Sequence, residues 1–346
     1  MAYPELNERE RRVLEAVIQS YVETAQPAGS QAIARRFGLG VSPATIRNTM
    51  SDLEDKGMLY HPHTSAGRVP TDVAYRVYVD SIIQIPPMTR LETRLTAEIV
   101  SGGSAIEGIL RRAAQSLGVI TQELGIALGP RLDNSVLERV DLVRLSSERI
   151  LVALTLAGGS VRTIFVEAKG EVADGALVEV TRVLNQRLAG STMREIRASL
   201  GERLRDVGPT GTAAELLNVF VEEGEQLIDA ALQGQDEAVL LGHASVLAEQ
   251  PEFASVNSMR KLVALTETRD DLANLLRKRS DVSGITISIG SEHNDPRLEK
   301  FTVVTAQYHA GGLSGVIGVI GPTRMPYEKV ISLVTHTSKL ITELLD

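Results

Sequence analysis

The sequence predicts an α+β multidomain protein. Three observations predict it: short capped helices followed by paired extended pieces within the first 80 residues, two groups of strands around 135–166 and 285–320, and a nearly all-helical stretch between those groups. At 346 residues, with 43% apolar and 3% aromatic residues, the chain is long enough for two or three domains whose cores rest on Leu, Val, Ile and Ala.

The first helix opens at Asn7, with Glu10 three residues on, the spacing of a capping box. Val13, Leu14, Val17, Ile18 and Tyr21 share one helical face, and Gln26-Pro27-Ala28-Gly29 stops the run. Ser30 reads as the cap of a short helix over Gln31–Phe37, burying Ile33 and Phe37. Gly38-Leu39-Gly40-Val41 makes a tight turn. Ser42 then caps a third helix with Pro43 at its first position, where a missing N–H does no harm. Ile46, Met50 and Leu53 give this helix an apolar stripe, and Gly57 ends it. Leu59 to Pro70 reads as two extended arms around a Ser65-Ala66-Gly67 turn, the hairpin of a winged helix-turn-helix.

Asp72 to Ile85 continues as helix until Pro86-Pro87, a candidate domain boundary. Residues 88–120 read as helix interrupted at Gly102-Gly103-Ser104. Strands follow: a segment with Val140, Leu142 and Leu145, then Ile150–Leu156 and Val161–Val166 separated by Gly158-Gly159. Residues 174–189 are helical, and 191–279 almost entirely so. Ile285–Ile289, Phe301–Gln307 and Gly315–Ile320 are strands, and Pro326 to Leu345 is a closing helix. An α-rich segment interrupting an α/β pattern reads as an insertion. The expected division is therefore 1–80, a connector over 81–104, an α/β domain in two parts over 105–190 and 280–346, and an insert over 191–279.

On the third helix the apolar stripe leaves Ser42, Ala44, Thr45, Arg47, Asn48 and Ser51 facing outward. This end of a recognition helix enters the major groove. Arg47 suits guanine O6 and N7, Asn48 suits adenine N6 and N7, and Thr45 suits a phosphate or a thymine methyl. Arg68 beside Gly67 suits a minor groove from the wing, with His61 and His63 on the preceding arm. Lys56 and Arg35 are further candidates for phosphate contacts. The same spacing also fits an ordinary small helical bundle with a solvated surface. His61 and His63 lack a third metal ligand nearby in sequence.

The formal net charge of −8 runs against a nucleic-acid reader, but phosphate attraction depends on local charge. Residues 25–70 carry five basic side chains against three acidic ones. There is no Cys, no basic-then-apolar leader at the N-terminus and no run of 18 apolar residues, so neither a disulfide scaffold nor a membrane span is expected, and the cytoplasm is. Gly311-Gly312-Leu313-Ser314-Gly315 lacks dinucleotide-binding spacing, no phosphate-loop, zinc-protease or serine-hydrolase motif occurs, and His293-Asn294-Asp295 reads as a satisfied turn. No enzyme activity and no cofactor are expected. A DNA reader of this size works as a symmetric homodimer on a palindrome, and the amphipathic helices of the insert are the expected dimer surface.

Ser42–Glu54, followed by Pro62-His63-Thr64-Ser65-Ala66-Gly67-Arg68-Val69-Pro70-Thr71, resembles the heat-inducible transcription repressor HrcA family. Gly318-Val319-Ile320-Gly321-Pro322-Thr323-Arg324-Met325 and Pro251-Glu252-Phe253 resemble it too, in the same order along the chain. Ala28 stands where the family favours Val, and Ala74 where it favours Gly. The resemblance implies a winged helix-turn-helix, a GAF-like domain and an inserted dimerisation domain. It implies binding to an inverted-repeat operator upstream of chaperone operons, and activity maintained by the GroEL-type chaperonin. The competing expectation is a metabolite-responsive repressor whose GAF-like domain takes a small-molecule effector.

Overall fold

The computed structural model describes residues 4–63, 66–82, 89–101, 106–130, 132–157, 160–168, 170, 172–205, 210–232, 239–310 and 313–345. Ser65 of the expected Ser65-Ala66-Gly67 turn lies outside them, as do the expected breaks at Pro86-Pro87, Gly102-Gly103-Ser104 and Gly158-Gly159, and Gly311-Gly312. The chain forms two compact units. One comprises Met1–Ala127, Val239–Gln307 and Val316–Leu340; the other comprises Leu128–Ala238, Tyr308–Gly315 and Ile341–Asp346.

The first unit begins with α1 (Glu8–Thr24), α2 (Ser30–Phe37) and α3 (Pro43–Asp55). The capping box forms as the spacing requires: Asn7 Oδ1 accepts from the Glu10 N–H at 3.0 Å, and the Glu10 carboxylate accepts from the Asn7 N–H at 2.9 Å. Ser30 is the first residue of α2 rather than its cap; Gly29 holds the cap position without a side-chain bond. Ile33 is fully buried as expected, whereas Phe37, at the last turn, is only half-buried. A two-stranded antiparallel hairpin follows, β1 (Leu59–Tyr60) with β2 (Val69–Pro70), pairing Leu59 with Pro70 and Tyr60 with Val69. α4 (Asp72–Ser81) is capped by Thr71, whose hydroxyl accepts from the Ala74 N–H, and ends four residues before the expected Ile85. Ala74 is wholly buried, so the methyl it adds is packed into the core.

α5 (Thr89–Val100) and α6 (Ile106–Thr121) lead to β3 (Leu124–Leu128). The rest of the unit's sheet comes from late in the chain: β7 (Val239–Leu241), β8 (Ile285–Ile289), β9 (Phe301–Ala310) and β10 (Leu313–Pro322), in the order β7-β3-β10-β9-β8. Among helices, α10 (Ser245–Ala248), α11 (Val256–Glu267), α12 (Arg269–Ser280) and α13 (Tyr327–Leu345) join this unit, α13 by all but its last turn. β9 and β10 are buried nearly throughout, which is why they read as continuous apolar runs rather than alternating ones.

The second unit is built on an antiparallel sheet of β4 (Leu137–Arg144), β5 (Arg149–Leu156) and β6 (Ser160–Glu167), in that order. α7 (Asp174–Leu188), α8 (Met193–Arg205) and α9 (Thr212–Leu232) complete it. Alternate residues Ile150, Val152, Leu154 and Leu156 share a core with Val180, Val183 and Leu184 of α7, Ile196 and Leu200 of α8, and Leu216 and Phe220 of α9.

The observed division differs from the expected boundaries. The strands over 137–167, expected with the first α/β part, share one core with α8 and α9, expected in the insert. Conversely β7, α11 and α12, also expected in the insert, belong to the unit of the five-stranded sheet. Helical periodicity marks which residues are helical but carries no information about which sheet a helix covers. β3 and β7 are strands that the sequence pattern does not predict. Each is a short apolar run without alternation, and its strand character comes from its neighbours in the sheet.

Candidate nucleic-acid interface

α1 packs on both α2 and α3, burying Val13, Leu14, Val17, Ile18, Ile33, Ile46, Met50 and Leu53. That packing fixes the rotation of α3 about its axis. Ala44, Arg47, Asn48 and Ser51, spaced three and four apart, are left as an exposed stripe. Ser42 Oγ accepts from the Thr45 N–H at 3.1 Å and pairs with Thr45 Oγ1 at 2.9 Å, so Thr45 serves the cap while staying half-buried. The N-terminal end of α3 also carries the positive end of the helix dipole, which favours an anion there. Arg35 is exposed near the end of α2. Its neighbour Arg36 pairs with Glu23 and lies 5.6 Å from the Phe37 ring centre.

Two of the expected contact residues are not free. Arg68 does not reach out from the wing: its guanidinium holds the Glu54 carboxylate at 2.7 Å and is only 12% exposed. Its backbone pairs with Ala28 in both directions, at 2.8 and 2.9 Å, so the descending arm of the hairpin docks on the segment between α1 and α2. Gly67 permits this, because a Cβ there would run into the Ala28 carbonyl. The Lys56 ammonium donates to the buried Glu10 carboxylate at 2.7 Å and to the Glu5 carbonyl at 3.0 Å. That bond from Lys56, with the cap at Asn7, holds the Glu10 carboxyl below its ordinary range. Arg68 and Lys56 therefore position the wing and α1. Sequence spacing could not show that their charges have internal partners.

His61 and His63 are exposed, and the His63 carbonyl accepts from the Ala66 N–H at 2.9 Å. Among the described residues no group of three His, Cys, Asp or Glu side chains is arranged to hold a metal. Between the start of α2, α3 and the hairpin lies a cleft of about 440 Å³, lined by Gly29, Ser30, Arg47, His61, Gly67 and Arg68 among others. The structure thus gathers Arg47, His61 and the hairpin around one concavity, with Asn48 and Ser51 exposed on the same helix. Elsewhere, His293-Asn294-Asp295 forms the expected turn but not a fully satisfied one, since His293 Nδ1 is buried without a hydrogen-bond partner. His293 Nε2 pairs with the Phe301 carbonyl at 3.1 Å, and Asp295 takes the Arg297 guanidinium.

Sequence reasoning missed the root of this N-terminal region. Arg324, at the end of the β10 motif, grips both oxygens of Glu252, at 2.5 and 2.9 Å, and donates to the Val22 carbonyl in the last turn of α1 at 2.6 Å. The Glu252 carboxylate raises the Arg324 guanidinium further above its ordinary range. Phe253 stacks on Phe301 with ring centres 5.7 Å apart. From α4, Arg76 holds Glu292 through two bonds of 2.8 and 2.5 Å and reaches the Ile287 carbonyl at 2.8 Å. Asp72 accepts from the Ser291 N–H at 3.0 Å, and Tyr78 donates to Glu328 at 3.1 Å. Pro251-Glu252-Phe253 and Thr323-Arg324 lie about 70 residues apart in sequence; the family resemblance marked both segments, but nothing in the sequence paired them.

The family model described as "HrcA protein C terminal domain" matches residues 107–331. A heat-inducible transcription repressor HrcA of Chlorobium phaeobacteroides is 42% identical over 97% of this chain and 97% of its own length. The protein of the same name from Geobacter sulfurreducens is 36% identical over 99% of each. A solved structure described as a hypothetical protein at 2.2 Å resolution aligns over 99% of each chain with a TM-score of 0.64 and 24% identity, a likeness of fold.

Proposed function

The chain belongs to the heat-inducible transcription repressor HrcA family, and on this basis we propose that it is a homodimeric repressor that binds an inverted-repeat operator upstream of chaperone genes in the cytoplasm. The family is one of transcription repressors, not of enzymes. The observation that carries the reading is the α3 stripe. Arg47, Asn48 and Ser51 are exposed on a helix whose N-terminal end is capped by Ser42 and flanked by a docked hairpin. In this reading residues 1–80 are a winged helix-turn-helix. Arg47 and Asn48 read base edges, Ser42, Thr45 and Ser51 position the helix, and His63 and Arg35 meet the backbone. The five-stranded sheet and its helices form the GAF-like domain.

The dimer surface we assign to the second unit, on its sheet rather than on the helices expected from sequence. Val143, Leu151 and Phe165 pair across β4, β5 and β6 on the face opposite the core, and Val143, Val161 and Phe165 are about half exposed. Arg149 covers Phe165 only in part, 5.1 Å from its ring centre. An exposed sheet face with an apolar row of this kind, bordered by the Arg139–Asp141 ion pair, fits a symmetric partner copy.

Chaperonin control follows by linkage: a marginally stable repressor has an active fraction set by whatever refolds it. Two features support marginal stability. The Glu123 carboxyl is 1% exposed and burial pushes it well above its ordinary range, and the Tyr75 hydroxyl is buried without a hydrogen-bond partner. The five-stranded sheet buries Val303, Val304, Val316, Ile317 and Val319, and no feature of the described residues favours the small-molecule effector.

The test is binding of the purified full chain to a duplex carrying an inverted repeat from upstream of a chaperone operon, against a shuffled duplex, with and without chaperonin. Preference for the repeat, and a larger active fraction with chaperonin, is the expected result. Equal binding to both duplexes overturns the operator reading. An active fraction indifferent to chaperonin overturns the linkage.

A further inference from the structure

We infer that Arg9 and Arg12, on the first turns of α1, form a second phosphate-contact patch that holds the DNA backbone beside the N-terminal end of α3. This deepens the proposed operator binding and rests on it. Arg9 and Arg12 line one cleft of about 480 Å³ with Asn7, Val13, Leu39 and Val41. Leu39 and Val41 belong to the turn that delivers the chain to Ser42, the cap of α3. The cleft therefore brings two guanidinium-bearing residues of α1 next to the end of the helix that is proposed to enter the groove.

Both arginines are exposed, and among the described residues neither guanidinium makes a hydrogen bond or an ion pair. The hydrogen bonds of the nearby Glu10 go elsewhere: it closes its own helix cap and accepts from Lys56, and Arg9 acts on it only through space, as the weakest of the influences on its carboxyl. Among the described residues Glu8 is the one carboxylate lining the same cleft.

Their position also runs against the local fold. Arg9 sits in the first turn of α1 and Arg12 at the start of the second, where the helix dipole presents its positive end. Cations there are disfavoured by the helix, and acidic residues are the usual occupants. Within α1 Arg9 has only a minor Coulombic interaction with Glu10, and neither guanidinium is bonded to a carboxylate there. Both gain from an external polyanion lying across the end of α1 and the turn before α3. The chemistry is that of consecutive backbone phosphates, read through charge and not through base identity.

The experiment measures binding of full-length R9Q/R12Q to the inverted-repeat duplex and to the shuffled duplex across a salt series, beside wild type, R9K/R12K and R47A. The expected result is weaker binding of R9Q/R12Q to both duplexes by a similar factor. The slope of log affinity against log salt should fall by about 4 for the dimer, two arginines from each protomer and close to one for each phosphate that is no longer neutralised. The preference for the repeat should stay unchanged, and R9K/R12K should restore the slope. An unchanged slope and affinity in R9Q/R12Q, with wild type still preferring the repeat, overturns the patch and leaves operator binding standing. Loss of preference in R9Q/R12Q with an unchanged slope also overturns it. Wild type that shows no preference for the repeat overturns the operator reading itself. Thermal melts of each variant establish that the comparison is made between folded proteins.

Discussion

The exposed face of the N-terminal region and its root use the same residue type in opposite ways. On the face, Arg9, Arg12, Arg35 and Arg47 stand in solvent. At the root, Arg76 and Arg324 are 14% and 13% exposed and each holds a carboxylate and a backbone carbonyl. A guanidinium with five donors and a permanent charge serves either purpose. What separates them is whether the fold supplies an acceptor. Where acceptors are supplied, arginine fixes one element against another. Where they are withheld, it remains available to an outside polyanion. Arg68 resembles the face residues in its sequence context but is bonded like those of the root, to Glu54.

Four substitutions test that division. The largest effect is expected for Arg324→Ala, which strands Glu252 and removes a bond to the end of α1. Breaking a buried pair costs about 3–5 kcal/mol, and because Glu252 is 27% exposed the loss should fall at or below the low end of that range, about 3 kcal/mol in chemical denaturation. A stability within error of wild type would show that the root is held by Phe253, Tyr75 and the aliphatic core alone. Next, Arg47→Ala should weaken operator binding by about 1–3 kcal/mol and relax preference at one base pair per half-site, with no change in melting temperature. A destabilised R47A with intact specificity would move Arg47 from the face to the fold.

A smaller effect is expected at Glu123. Burial raises its carboxyl in the folded chain, so the folded state retains a proton that the unfolded chain releases once pH exceeds the ordinary Glu range. Stability is therefore lost as pH rises from there, and Glu123→Gln removes that loss. Melts near the ordinary Glu range should nearly coincide for the two proteins, and the variant should lead increasingly as pH rises above it. A constant gap across this range would assign the difference to packing.

The smallest effect concerns Glu10, whose carboxyl is lowered by Lys56 and by its cap. Its stabilisation is present above the ordinary Glu range and is lost as pH falls through the depressed value. Lys56→Gln should flatten that acid-side decline. A parallel decline in both proteins would mean that the Lys56 bond does little to hold α1.

Much of the interface was legible because local rules govern it. The Asn7 capping box, Ser42 with Pro43, and the apolar stripe of α3 are each set by residues within one or two turns, and all three form. The strand over Ile285–Ile289 appears with its expected ends. The partners of Arg68 and Lys56 were not legible, because Glu54 lies in the last turn of α3 while Arg68 lies on the far arm of the hairpin, and Glu10 lies 46 residues from Lys56. Nor was the open face of the β4-β5-β6 sheet. Alternation shows that a strand has two faces, but not that the second face stays bare.

By itself the sequence determined the helices and their caps, most strands, the orientation of α3 and, through long contiguous motifs, the family. These depend on periodicity and short-range hydrogen bonding, whose range is a few residues. Only the tertiary structure decided which charges have internal partners and which strands share a core with which helices. It alone brought Pro251-Glu252-Phe253 and Arg324 together at the root of α1. Those outcomes depend on contacts between distant segments, and a hydrophobic pattern records that a residue is buried without recording against what.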